Sequence, residues 1–188
     1  MAKANQSKYM ILGLLSFWPM SGYDIKFEIE SSTKHFWTIS YTQIYNTLKQ
    51  LETEGFVDKS VEKTEGRPDK KVYSLTIAGR THLNEWLLSP AHPQQPRDES
   101  SLKLFFGHEV SIADNIQQLE SVRDQLNTKL AYTQKVAEGI TQWYAKDGPH
   151  RQFPNYVLLT VQKEHQILQA QLNWCHSTIK YLNEWSPS

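Results

Sequence analysis

Thr42, Asn46 and Lys49 recur at spacings of four and three and are the side chains in this sequence best suited to a binding chemistry. A hydroxyl, an amide and an ammonium on one helical face can bond base edges and the phosphates beside them. Gln43 and Tyr45 flank the group, and no bulky aliphatic interrupts it. The same set would also suit the solvated face of any surface helix, so the neighbouring residues have to decide. Ser40 to Phe56 has the marks of a bounded amphipathic helix. Ser40 and Gln43 have capping-box spacing, and Ile44, Leu48 and Leu51 form a narrow apolar stripe. Gly55 stands where a helix exits through a left-handed residue.

The following segment changes the balance. Val57 to Glu62 and Lys70 to Leu75 are two β-prone runs, and the residues between them include Gly66 and Pro68. This pattern predicts a hairpin with a long tip. Its tip and flanks carry Lys63, Arg67, Lys70 and Lys71. A helix followed by a basic hairpin is the layout of a winged helix-turn-helix, in which the helix enters the major groove and the hairpin reaches the adjacent backbone or minor groove. Lysines on a two-stranded edge also guard against aggregation, so the order of the elements is the stronger signal. Upstream, Tyr9 to Leu15 is a compact apolar segment ended by Pro19. Ser21 and Asp24 then have capping-box spacing ahead of Ile25 and Ile29. Downstream, Thr76 caps a helix that runs on through Leu83, Trp86 and Leu87. Residues 8 to 88 thus read as helix, helix, helix, hairpin, helix, enough for one small domain.

In these segments the chain resembles the PadR family of bacterial transcriptional regulators. The matching residues are Ile11-Leu12-Gly13-Leu14-Leu15, Ser21-Gly22-Tyr23-Asp24-Ile25, and Gln43-Ile44-Tyr45 with Leu48 and Leu51-Glu52 before Gly55-Phe56. Val72-Tyr73-Ser74-Leu75-Thr76 with Gly79, and Trp86-Leu87, extend the match. Leu102-Lys103-Leu104-Phe105-Phe106 and Tyr156-Val157-Leu158-Leu159 look like the larger subgroup with a helical C-terminal domain. Each segment is weak alone, but their order and spacing are specific, and they span nearly the whole chain. The resemblance implies a homodimeric, ligand-responsive protein that binds double-stranded DNA, usually as a repressor. It leaves operator and ligand open. The DNA-facing set expected is Tyr23, Ser40, Thr42, Gln43, Tyr45, Asn46 and Lys49, with Lys63, Arg67, Lys70 and Lys71 from the wing.

The fold class expected is mainly α with a small β-hairpin wing, and three regions are expected. Residues 1–89 form the winged helix-turn-helix and 90–97 a proline-rich, semi-rigid linker. Residues 98–188 form an α-helical dimerisation and effector domain. Asp98 to His108 reads as a short helix bearing Leu102, Phe105 and Phe106. Ser111 and Asp114 then open a long helix whose seam holds Ile112, Ile116, Leu119, Arg123, Leu126, Leu130, Thr133, Ala137, Ile140 and Tyr144. After a turn-rich loop from Lys146 to Pro154, Tyr156 to Trp185 repeats the spacing with Leu158, Val161, His165, Leu168, Leu172, Cys175, Ile179 and Leu182. Two matched seams and a short connection predict an antiparallel helical hairpin. A hairpin alone cannot cover both its stripes, so a second subunit is the expected cover.

His165 is the ionisable group on the last seam; it suits a hydrogen bond across the hairpin, a ligand contact or a pH response. Cys175 reads as a small core residue. There are six tryptophans, and aromatic residues make up 12% of the chain, most of them needed as core. In the resembled family, aromatic effectors lodge between the winged-helix half and the C-terminal helices. Phe36, Trp37, Tyr41, Phe105, Phe106, Trp143, Tyr144, His165 and Trp174 are the pool for such a pocket here.

Composition agrees without deciding. Hydrophobic residues are 39% and mean hydropathy is −0.58, and no apolar run reaches the eighteen or so residues of a membrane span. The polar start, Met1 to Ser7, is not a secretory signal, and a single cysteine suits a reducing cytoplasm. The 188 residues carry zero net charge, and the first 89 carry eleven Lys and Arg against ten Asp and Glu. DNA binding must therefore come from clustering of cations on one side. Near-neutrality favours a rival reading, a winged-helix and coiled-coil protein-interaction module without ligand sensing. The seven histidines show no pair at metal-ligand spacing, and there is no phosphate-cradling glycine loop, nucleophile-elbow serine or CxxC. No enzyme, metal or cofactor is expected.

Overall fold

The computed structural model describes residues 6–34, 36–62, 69–91, 97–144 and 153–185, with the side chains of 141–144 and 153–154 left out. The chain divides into two compact units, Met1–His92 and Pro93–Ser188.

The first unit begins with α1 (Ser7–Leu15), a strand β1 (Met20–Ser21) and α2 (Gly22–Glu28), which passes into one π-helical turn (Ile29–Thr33). Then come α3 (Tyr41–Thr53), the hairpin of β2 (Val57–Glu62) and β3 (Lys70–Leu75), and α4 (Ile77–Leu88). The residues that would form the hairpin tip, including Lys63 and Arg67, lie outside those described. The sheet has three strands in the order β1-β3-β2, all antiparallel. The sequence pattern predicts only the hairpin. Met20–Ser21 is too short to show an alternation, and its strand character comes from pairing with Tyr73 and Val72, far along the chain.

Local signals set the ends of these helices. At α2, Ser21 and Asp24 form a reciprocal capping box, and Ser40 and Gln43 do the same at α3. The α3 exit is a Schellman motif: Phe56 N–H donates to Leu51 O and Gly55 N–H to Glu52 O, with Gly55 at φ +72°. Thr76 accepts from Gly79 N–H at 3.0 Å and donates to Gly55 O at 2.8 Å, so one hydroxyl starts α4 and holds the end of α3. The core draws on every element: Ile11, Leu12, Leu15, Met20, Ile25, Ile29, Ile44, Leu48, Leu51, Val57, Tyr73 and Leu83 are buried together. Beside it, Phe56, His82, Tyr9 and Trp86 stack in series, with centroids 4.5, 5.4 and 4.4 Å apart.

The second unit holds α5 (Glu99–Phe105), a 3-10 turn (Gly107–Glu109), α6 (Ile112–Tyr144) and α7 (Phe153–Glu184). Asp98 caps α5, and bonds from Ser100 and Ser101 hold its carboxyl pKa down to about 2. Ser111 and Asp114 form a capping pair at α6. Along the α6–α7 hairpin the buried positions repeat every seven residues: Leu119, Leu126, Thr133 and Ile140 face Val161, Leu168, Cys175 and Leu182. Thr133 is accommodated because its hydroxyl donates to Leu130 O. Arg123 is half-buried and pairs with Glu120 and Asp124. Val136, which the expected seam leaves out, is buried beside Ile140, and Ala137 packs half-buried against the same cluster. α7 also starts at Phe153, before the expected Tyr156, because Pro154 falls in the first turn, where its missing N–H costs nothing.

Gly79 sets a strict test of this packing. A Cβ there would stand 2.1 Å from Phe56 O, a backbone atom. Gly79→Ala gains about 1 kcal/mol of helix propensity, but the clash should reverse the sign, with a net loss of about 1–3 kcal/mol. Denaturant unfolding of the two proteins should show the lowered midpoint.

Candidate nucleic-acid interface

Ile44, Leu48 and Leu51 have no exposed surface, so α3 can turn only its opposite face outward. Thr42, Gln43, Tyr45, Asn46 and Lys49 are all exposed on it, as are Ser40 at the cap and Tyr23 on α2. Thr47, three residues after Ile44 and four before Leu51, falls on the same face and is buried with the stripe. Gln43 gives its carbonyl oxygen to the Ser40 N–H at 3.0 Å, leaving its amide nitrogen for a ligand. The Tyr45 ring lies over Gly22, where a Cβ would meet it at 2.7 Å, so α2 and α3 meet closely at their outer edge.

Lys26 fixes the entry to α3, a role the sequence did not signal. Its ammonium donates to Ile39 O at 3.0 Å, pairs with Glu30 at 3.0 Å and lies 5.7 Å from the centre of the Tyr41 ring. The π turn before it is tied back by Ser31, Ser32 and Thr33, whose hydroxyls donate to Phe27, Glu28 and Ile29 carbonyls.

The wing cations divide into two groups. Lys70 pairs with Asp24 of α2 at 2.9 Å, and Lys59 pairs with Glu52 of α3. Burial works to raise the Asp24 carboxyl, but bonds from Lys70 and Ser21 outweigh it and hold the group below the usual range. The hydrogen bonds to Asp24 and Glu52 push the Lys70 and Lys59 ammonium groups up. Lys71 is exposed and has no ion pair among the described residues. Lys70, expected to meet DNA, thus has a partner within the fold. Neither pair was legible, because each joins elements whose approach only the tertiary structure sets.

The expected effector residues divide between the units. Phe36 and Tyr41 are exposed in the first. Trp37 packs against that unit's core, and its Nε1–H has no partner among the described residues. In the second unit Phe105 and Phe106 meet edge to face at 5.0 Å and are largely exposed. Phe106 and Trp174 line an open groove of about 920 Å³ between α5, α6 and α7, with Leu102, Leu126 and Lys129. His165 is half-buried on α7. The side chains of Trp143 and Tyr144 lie outside those described.

Residues 11–85 match the family model described as Transcriptional regulator PadR-like family, and residues 96–183 match one described as Virulence activator alpha C-term. The negative transcriptional regulator PadR of Bacillus subtilis (strain 168) is 29% identical over 182 residues, 94% of this chain and 97% of that protein. Its crystal structure in complex with operator DNA superposes with a TM-score of 0.80 at 28% identity, covering 94% of this chain and 98% of that one. Its complex with p-coumaric acid does so with a TM-score of 0.73 over the same shares. Residues 11–85, which hold the helix-turn-helix and the wing, are thus a PadR-like family domain, and the chain is similar to a PadR transcriptional regulator over 94% of its length.

Proposed function

We propose that this chain is a sequence-specific DNA-binding regulator, a cytoplasmic homodimeric repressor that a small aromatic or apolar ligand releases from its operator. The observation that carries the reading is the outer face of α3. Its polar row is held outward by three fully buried aliphatics and closed by caps at both ends. Such a face suits reading and positioning rather than catalysis. Asn46 is the base reader in this account, through a bidentate contact, and Thr42 and Gln43 support it. Lys49 and Lys71, with Lys63 and Arg67 of the wing, hold phosphates. The Bacillus subtilis relative was solved on operator DNA, which supports the same role here.

A homodimer answers a second observation. On α7, Ile167, Trp174 and Tyr181 recur every seven residues and are exposed, with Tyr156 and Trp185 on the same line. This stripe lies well round from the seam that α6 covers. A second copy bringing the same stripe would bury both, and would set two α3 helices on two half-sites. The ligand reading rests on the aromatic pool and on the relative solved with p-coumaric acid. A ligand can shift the equilibrium only by its differential affinity for the DNA-competent and DNA-incompetent forms.

DNA reading, dimerisation and ligand release are separable by experiment. Asn46→Ala should cost about 1–3 kcal/mol on a specific duplex and little on random DNA, whereas Lys49→Ala should weaken both. Unchanged affinity in both variants would show that α3 is not the reader. In sedimentation, Ile167→Asp with Trp174→Asp should convert a dimer to a folded monomer; a persisting dimer would place the interface elsewhere. p-Coumaric acid or a related phenolic should quench tryptophan fluorescence and lower DNA affinity. If a screen of such compounds did neither, a constitutive repressor would remain.

A further inference from the structure

The base of the wing is attached to the helix-turn-helix by two half-exposed ion pairs, one on each strand. On β3, strand pairing with β1 ends where Ser21 meets Val72. Beyond it toward the tip, Lys70 reaches Asp24, the residue that also closes the capping box of α2. On β2, Lys59 stands across from Tyr73 and reaches Glu52, on the last turn of α3. Each pair therefore links a wing strand to one of the two helices of the DNA-binding motif.

Surface pairs of this exposure add little to folding. Their effect on charge is larger. The first 89 residues carry an excess of one cation, so removing two lysines from the set free to meet phosphates changes binding markedly. We propose that Asp24 and Glu52 are specificity-determining residues: they fix the wing relative to α3 and withhold Lys70 and Lys59 from DNA phosphates. Each phosphate contact adds affinity for every sequence and none for a particular one. Holding two lysines back lowers random binding and leaves discrimination to the face of α3. The paired state agrees with the direction of titration, since the Lys59 and Lys70 ammonium groups are both stabilised in their charged form.

This inference rests on the DNA-binding reading, and the full-length protein tests the two apart. Glu52→Gln removes the charge that holds Lys59 and keeps the side chain's size; Asp24→Asn does the same for Lys70 and can still accept at the cap. Each variant should bind random duplex more tightly than the parent. The slope of log affinity against log salt should steepen by about 0.9 for each lysine that gains a phosphate. The ratio of specific to random affinity should fall. Adding Lys59→Gln to Glu52→Gln should return the slope to the parental value. Glu54→Gln is the control: it removes a nearby charge that bonds Gln50 rather than a lysine, and should leave the slope unchanged. If the parent binds DNA with a salt-dependent slope that neither Glu52→Gln nor Asp24→Asn alters, the inference is overturned while the DNA-binding function stands. It is equally overturned if Glu54→Gln steepens the slope as much. A parent with no salt-dependent binding would overturn both.

Discussion

Burial of Ile44, Leu48 and Leu51 is the constraint on which the rest of the interface depends. Three aliphatics without exposed surface fix the rotation of α3 about its axis, and a rotation large enough to hide Asn46 would lift at least one of them into water. Removing a side chain of that kind from a core costs about 2–5 kcal/mol. The ends are as firmly defined. The Ser40–Gln43 box starts the helix, Lys26 holds the carbonyl just before it, and the Schellman turn at Gly55 stops it. An orientation set by core packing is preorganised, so DNA would not have to supply the ordering free energy.

Charge is the second theme. A neutral chain that reads DNA must concentrate its free cations, and here the fold does so by engaging others internally. Lys26 is held by Glu30 and Ile39 O, Lys59 by Glu52 and Lys70 by Asp24. Lys49 and Lys71 are left exposed without an ion pair among the described residues. The opposite case, a strongly basic surface, would hold any sequence and gain little selectivity.

How much of this was legible in the sequence follows from the range of the interactions. Every capping box was readable because its partners lie three residues apart, and the α3 stripe because its members lie within two turns. The heptad seam was readable in its repeat, though not in the burial of Val136 beside Ala137, which depends on the facing helix. Strand β1 was not readable, since two residues become a strand only through β3. His82, in series with Phe56 and Tyr9, gave no periodic signal either. The Asp24–Lys70 and Glu52–Lys59 pairs fall in the same class. Local spacing therefore reveals the face of α3 and hides the contacts that aim it.

Selection of bound sequences from a random duplex pool tests the central claim most directly. A dimer presenting two α3 helices should enrich an inverted repeat whose half-site centres lie about one helical turn, roughly 10–10.5 bp, or a multiple of it apart. A pool that stays at its input composition through repeated rounds at low salt would contradict the account and favour a winged helix that binds protein instead.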